Sequence, residues 1–222
     1  MSCPAHYFGP ATGYWAETSM TAAELGTKGR QTRSAIELAA RKLFAERGFH
    51  GTTLADITSA AGKSPAVFYR YFSDKEDLLA ALAESFLHDV VEPSGLNLHL
   101  PDSPDDTEFF TTVVTGYWNI FKQNIGIMIA VAQLAATQQR FADVQNKFRR
   151  FGIDIVIASV HHAQGQGHAQ GLQPEHVGAA IALLFENFTT VFVGQSGLGI
   201  EINDADAITT LSTIWKRTLY GF

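Results

Sequence analysis

Apolar residues along this chain return every three or four positions and show no sustained alternation, so the pattern predicts helices throughout and no strand. Ile36, Ala39, Ala40, Leu43 and Phe44 line one face of an amphipathic helix that ends at Gly48. Thr53 then serves as an N-cap, Asp56 completes a capping box with it, and Leu54, Ile57, Ala60 and Ala61 continue at helical spacing. Gly62 supplies the left-handed residue at which this short helix stops. After Lys63, Ser64 is a second N-cap and Pro65 takes the first helical position, where a missing amide proton costs nothing. The helix it opens is expected to run to about Phe72, with Phe68 and Phe72 one turn apart on its inner face. A further capping box, Ser73-Asp74-Lys75-Glu76, starts a long helix from Asp74 to about Val91, striped by Leu78, Leu79, Leu82, Ala83 and Phe86. Together these segments predict a three-helix head of the helix-turn-helix type, residues 28–73.

Beyond the head the helical pattern persists, with breaks at Pro93-Ser94-Gly95 and from Pro101 to Pro104. Asp102 or Ser103 leads into an aromatic-rich helix marked by Phe109, Phe110, Val113, Val114, Tyr117, Trp118 and Phe121. Ile125 to Ala135 reads as a short buried helix, and Gln138 to about His161 as a longer one whose outer face holds Lys147, Arg149 and Arg150. A loop with Gly165, Gly167 and Gly171 follows. Pro174 opens a helix that is apolar on most sides: Val177, Ile181, Leu184, Phe185, Phe188, Val191 and Phe192 share one face, and Ala179, Ala180, Ala182 and Leu183 fill others. So little polar surface suits a helix buried twice, against its own domain and against another subunit. Asn203 or Asp204 starts the last helix, with Ile208, Leu211, Ile214, Trp215 and Leu219 as its stripe. Pro174–Phe192 and Asp204–Leu219, paired with their symmetry mates, would form a four-helix homodimer interface. The fold class expected is all-α, a three-helix head followed by a larger helical domain, residues 74–222, that carries the dimer interface.

The net charge of −6 argues against a nucleic-acid partner until its distribution is considered. Residues 28–75 hold nine Lys or Arg against four Asp or Glu, whereas residues 76–222 hold seven against sixteen. A basic head on an acidic body concentrates attraction for phosphate on one domain and predicts salt-dependent binding to double-stranded DNA. Pro65, Ala66, Tyr69, Arg70 and part of Tyr71 are the surface candidates for that contact; for Arg70 the alternative is a salt bridge with Asp74. Arg30 and Arg33 are placed before the first helix, either reaching the adjacent groove or backbone or forming a solvated arm. Residues 1–27, with Tyr7, Phe8, Tyr14 and Trp15 but no clear period, read as a loose tail, and Met20 is an alternative start. A single cysteine, Cys3, excludes an internal disulfide and a cysteine metal cluster. The longest apolar runs are interrupted short of a membrane span, and a signal-like N-terminus is lacking, so a soluble cytoplasmic protein without a membrane partner is expected.

The stretch from Arg33 to Phe86, with LFAERGFHGTTLADITSAAG followed by FYRYFSDKEDLL, resembles the head of TetR-family transcriptional regulators. The resemblance covers about a quarter of the chain, and several independent elements fall in register: the Phe-His-Gly-Thr-Thr entry, the Ile57-Ala60-Ala61-Gly62 helix, the run from Phe68 to Phe72, and Lys75. It implies that Thr53, Tyr69, Tyr71 and Lys75 grip phosphates, and that Lys63, Ser64, Pro65, Ala66, Val67 and Arg70 lie near base edges. Where the family often has Gly-Thr early in the recognition helix, this chain has Ala66-Val67, which makes contacts there apolar, to a thymine methyl for example.

The same resemblance implies a small-molecule effector in the larger domain that shifts the helix from Asp74 to about Val91. The expected function is a repressor released from a palindromic operator, with a helical partner-binding or sensor protein, or a TetR-like activator, as the alternatives. Phe86, Trp118, Phe121, Met128, Phe148, Phe151, Phe185 and Phe188 are the apolar candidates for the effector pocket, although such residues are more often plain core. Asn119, Gln133, His161 and Asn187 are candidate polar anchors. Aromatic richness with few charges between Tyr117 and Ala136 favours a lipophilic or aromatic effector over a sugar or phosphate.

Enzymatic and cofactor readings find little support in the sequence. Around Ser196 the nucleophile-elbow pattern fails because Leu198 stands where its second glycine belongs. Gly165 and Gly167 lack the third glycine of a dinucleotide loop, with Gln170 in its place. His161, His162, His168 and His176 straddle a glycine-rich loop without carboxylate or cysteine support, which predicts a polar loop and no metal site.

Overall fold

A computed structural model describes residues 26–91, 100–101, 103–194 and 198–221, and among them every regular element is a helix. The head comprises α1 (Thr27–Arg47), α2 (Leu54–Ala60) and α3 (Pro65–Phe68), followed by α4 (Lys75–Val91). The body adds α5 (Glu108–Gln123), α6 (Ile125–Ala135), α7 (Gln139–Gly165), α8 (Pro174–Gly194) and α9 (Asp204–Tyr220). The expected break at Pro93-Ser94-Gly95, most of the expected tail and Ser196 lie outside the described residues.

Local chemistry sets the short helices. Both halves of the Thr53–Asp56 capping box form, Gly62 takes φ of +63°, and Ser64 caps α3 with Pro65 in its first turn. Several boundaries differ from the sequence expectation, among them the end of α7, which continues past His161 to Gly165 and so takes in a glycine expected in the loop. Helix α1 starts at Thr27, so Thr27 leaves the tail and Arg30 and Arg33 are helical instead of preceding a helix. Helix α3 ends at Phe68, short of Phe72, because the bonds from Arg70 N–H to Val67 and from Tyr71 N–H to Phe68 span three residues and tighten the chain into a turn. The cap of α4 falls one residue later than expected: Asp74 Oδ1 accepts the Asp77 N–H at 2.7 Å, and Asp77 Oδ2 accepts the Ser73 N–H at 2.9 Å. Helix α5 starts at Glu108 instead of beside Asp102 or Ser103, its first N–H satisfied by Asp106 Oδ1 at 3.0 Å.

Two apolar cores result. The first joins Ile36, Phe44, Ile57, Phe68 and Phe72 of the head to Leu78 and Leu82 of α4, and also to Ile127, Val131 and Phe141 of α6 and α7. The second fills the body around Trp215, whose ring meets Phe110 at 5.2 Å, Phe109 at 5.5 Å and Phe185 at 6.2 Å. The head therefore rests on α6. At Gly126 the approach is so close that a Cβ would stand 2.5 Å from the carbonyl carbon of Phe44 and the nitrogen of Ala45.

Helix α8 departs from the expectation that no apolar run is long enough to span a membrane: at 21 residues it passes that test of length and composition. Its Glu186 nevertheless takes a bidentate pair from Arg149 on α7, at 2.7 and 2.8 Å, and Pro174, Gly178, Ile181, Phe185 and Thr189 are buried in the helical body. Leu183 and Leu184 on α8 and Ile214 on α9 stay about two-fifths exposed in the single chain.

Candidate nucleic-acid interface and effector core

The turn after α2 presents a compact surface. Ser64, Pro65, Ala66, Tyr69 and Arg70 are exposed, Lys63 and Val67 are half-buried, and Phe68 beneath them is fully buried and anchors the segment. Tyr69 is 60% exposed, with its ring edge-on to Phe68 at 5.7 Å. An aromatic of that size left in solvent on a basic head is available to a partner. Asp74 caps α4 through the Asp77 N–H, and both Asp74 and Arg70 are exposed.

Other residues assigned to phosphate or groove contact are engaged in the fold. The Thr53 hydroxyl accepts the Asp56 N–H at 3.1 Å and also donates to the Asp56 carboxylate, so gripping a phosphate would require that hydroxyl to turn. Asp56 is held below the usual carboxylate range by the Thr53 hydroxyl first, then by the Thr53 N–H and Arg47. Tyr71 is only 8% exposed and belongs to the head core. Arg33 pairs with Glu37 at 2.9 Å and lies over the Phe72 ring at 5.0 Å, half-buried on α1 rather than in a solvated arm. Lys75 donates to the carbonyls of Phe49 at 2.6 Å and Thr52 at 2.7 Å, with its ammonium 4.2 Å from the centre of the Phe49 ring. Burial pushes that ammonium's pKa down, and neighbouring Glu76 opposes the shift. Lys75 thus closes the turn between α1 and α2, a role its sequence position does not disclose.

In the body, the eight candidate pocket residues separate. Trp118, Phe151, Phe185 and Phe188 share the second core, and Phe121 joins them through Tyr117, whose ring lies 5.8 Å from it. Phe86 and Phe148 form their own pair at 5.0 Å, where α4 meets α7, and Met128 is half-buried on α6. The proposed polar anchors do not converge on this interior: Asn119, Gln133, His161 and Asn187 are all exposed, and Asn187 Nδ2 bonds the Leu183 carbonyl at 3.0 Å. Asn119 misses because one step along α5 from Trp118 turns a side chain about 100°. The polar atoms that are inside are Tyr117 Oη and Trp118 Nε1, both buried without a hydrogen-bond partner. Nothing beyond the spacing of aromatics on α5 signalled them.

Two joints tie this interior to the head. Arg41 on α1 donates to Asn124 Oδ1 at 3.0 Å and to the Leu82 carbonyl at 3.4 Å; Asn124, the elbow between α5 and α6, bonds the Ile120 carbonyl at 2.9 Å. At the start of α4, Glu76 Oε2 accepts from Gln138 at 3.0 Å and from Arg140 at 3.3 Å, both in the α6–α7 region. Near the end of α7, His162 Nε2 lies 2.9 Å from the Pro101 carbonyl, and in the loop that follows the His168 ring lies 5.1 Å from that of Tyr220.

Comparison with known proteins points one way. The sequence profile of the family described as bacterial regulatory proteins, tetR family, matches residues 36–82. The chain is 29% identical over 192 residues to the HTH-type transcriptional regulator EthR of Mycobacterium tuberculosis, covering 84% of this chain and 86% of that one. It is 40% identical over 146 residues to the HTH-type transcriptional repressor KstR2 of Rhodococcus jostii, covering 61% and 67%. In fold it resembles the transcriptional regulator FadR of Bacillus subtilis, solved in complex with stearoyl-CoA, with a TM-score of 0.61 at 19% identity over 85% of this chain and 98% of that one.

Proposed function

The chain belongs to the tetR family of bacterial regulatory proteins, and from that premise we propose that it is a repressor that leaves a palindromic operator when a small lipophilic or aromatic effector enters its body. The observation that carries this reading is the exposed Ser64-Pro65-Ala66-Tyr69-Arg70 surface, held by buried Phe68 on a head with a surplus of basic residues. Tyr69 and Arg70 meet phosphate or base edges, Pro65 and Ala66 offer apolar contact to a thymine methyl, and Thr53 and Lys63 flank them. Tyr71, Arg33 and Lys75 act behind this surface by fixing its shape.

Two copies are needed to read two half-sites, and the open Leu183, Leu184 and Ile214 side chains supply the interface through α8 and α9. Release requires only that the effector prefer the arrangement that fits DNA poorly. A preference worth about 2.7 kcal/mol weakens operator binding roughly a hundredfold. The Arg41–Asn124 and Glu76–Arg140 joints are the routes by which a shift in α5 to α7 reaches α1 and α4. No catalytic step or cofactor is called for, and the protein acts in the cytoplasm, where the chromosome lies.

The test is titration of the purified protein against the duplex upstream of its own gene and against random duplex, over a range of salt. A preference for the upstream duplex, with affinity falling steeply as salt rises, is the expected result. Equal binding to both duplexes at moderate salt overturns the reading.

A further inference from the structure

The inference concerns which chemistry the body selects, and it rests on reading the second core as the effector site. Tyr117 projects from α5 between Phe121 and Phe185, ring centres 5.8 and 5.7 Å away, and its hydroxyl is buried with no hydrogen-bond partner. The Thr189 hydroxyl lies beside the phenol as a latent acceptor, its own proton given to the Phe185 carbonyl at 2.7 Å. Glu186 is near as well, yet its two oxygens already accept Arg149 and Gln145, the latter at 3.0 Å. One residue further on, Trp118 Nε1 also has no formed hydrogen bond, but it has an acceptor beside it within the chain, the Asp204 carboxylate that Lys122 holds at 2.7 and 3.0 Å. The interior around α5 therefore offers the Tyr117 hydroxyl as a donor with no formed hydrogen bond in an apolar wall, while Arg149 and Lys122 nearby are committed to carboxylates. A buried donor left unpaired is costly to the folded chain, and an acceptor brought by a ligand removes that cost.

We propose that the effector is a neutral, largely apolar molecule bearing one accepting oxygen, such as a ketone, ester or amide, and that Tyr117 Oη donates its proton to that oxygen. An anionic head group would find no uncommitted cation beside Tyr117 and would have to break the Arg149–Glu186 pair. Burial pushes the phenol pKa well above its ordinary value, so the hydroxyl stays a donor throughout the physiological range.

The experiment uses the full chain and three sets of probes: medium-chain 2-alkanones, the alkanes of matching length and the matching carboxylates, with binding read by tryptophan fluorescence and by thermal shift. The ketones are expected to bind about tenfold more tightly than the alkanes, roughly 1.4 kcal/mol, and more tightly than the carboxylates. Tyr117→Phe is expected to erase the ketone advantage and leave alkane affinity unchanged. If ketone and alkane bind alike, if carboxylates bind most tightly, or if the advantage survives in Tyr117→Phe, the donor assignment is overturned and the effector site stands. Should none of the probes bind, the effector reading falls and the assignment with it. Were Tyr117→Phe not to fold, the ranking of the three sets on the unaltered protein decides alone.

Discussion

The head and the body differ in how completely they satisfy their buried polar groups: the body pairs Ser159, Thr189, Ser212 and Trp215 within the chain but leaves others on α5 without a bond. In the head, the Thr52 hydroxyl donates to the Gly48 carbonyl at 2.8 Å, Lys75 donates to two carbonyls, and Thr53 and Asp56 satisfy each other. The buried unpartnered side-chain atoms among the described residues all lie outside it: Tyr117 Oη and Trp118 Nε1 in the body, and Arg140 Nε near the joint with α4. A surface that must present Tyr69 and Arg70 in fixed register benefits from a shell in which every donor has a partner. An interior that receives a molecule from outside keeps its donors free until that molecule arrives.

Substitutions in the two regions should separate accordingly. Phe68→Ala carries the largest expected effect: emptying a fully buried ring site beneath the recognition surface should cost about 3–5 kcal/mol in chemical denaturation, with loss of operator binding. A cost well below that would mean the segment is not anchored as described. Next, Lys75→Met keeps the length of the side chain but strips the Phe49 and Thr52 carbonyls of their donor, and should lower stability by about 2 kcal/mol. If operator affinity fell while urea midpoints stayed unchanged, Lys75 would be a phosphate ligand after all.

The body should respond with the opposite sign. Removing the unpartnered hydroxyl in Tyr117→Phe is expected to raise the stability of the effector-free protein by about 1 kcal/mol. A loss of that size would show that the hydroxyl has a partner within the chain. The smallest effect is tied to pH. Asp56 has its pKa lowered by folding from the ordinary 3.8, so its capping box stabilises the head fully above that value and loses strength as the pH falls through the lower folded one. Asp56→Asn should therefore be less stable than the parent at pH 7, with the gap closing as the pH falls below the ordinary carboxylate range, measured by urea denaturation at each pH. A gap constant across that range would place the stabilisation in packing.

What the sequence disclosed follows the same division. Caps, the Gly62 turn and the span Ile125–Ala135 depend on neighbours within a few residues, and their chemistry is written locally. The orientation of Lys75 depends on carbonyls more than twenty residues earlier in the chain, and Glu76 on Arg140 more than sixty residues later. No periodicity encodes such pairings, which is why Lys75 looked like a surface cation and Arg33 like part of an arm. The exposed face of the recognition segment is legible because Phe68 and Phe72, one turn apart, have to point inward. The interior was legible as an aromatic stripe, but a stripe does not say which atom on it lacks a partner. Asn119 is polar and exposed, whereas the buried polar atoms belong to Tyr117 and Trp118, on the aromatic side of α5.

Lys75 and Glu76 are consecutive, yet one is fastened to the turn between α1 and α2 and the other to the start of α7. The peptide between them is thus a fulcrum shared by two bodies. Helix α4, 17 residues long, extends from it as an arm of about 25 Å. A swing of about 10° at that fulcrum carries the far end of α4 through about 4 Å, so a modest displacement beside Phe86 and Phe148 becomes a rotation of the head. In a dimer the two-fold axis would repeat the same swing at the second head, so the separation of the recognition surfaces would change by the sum of both motions.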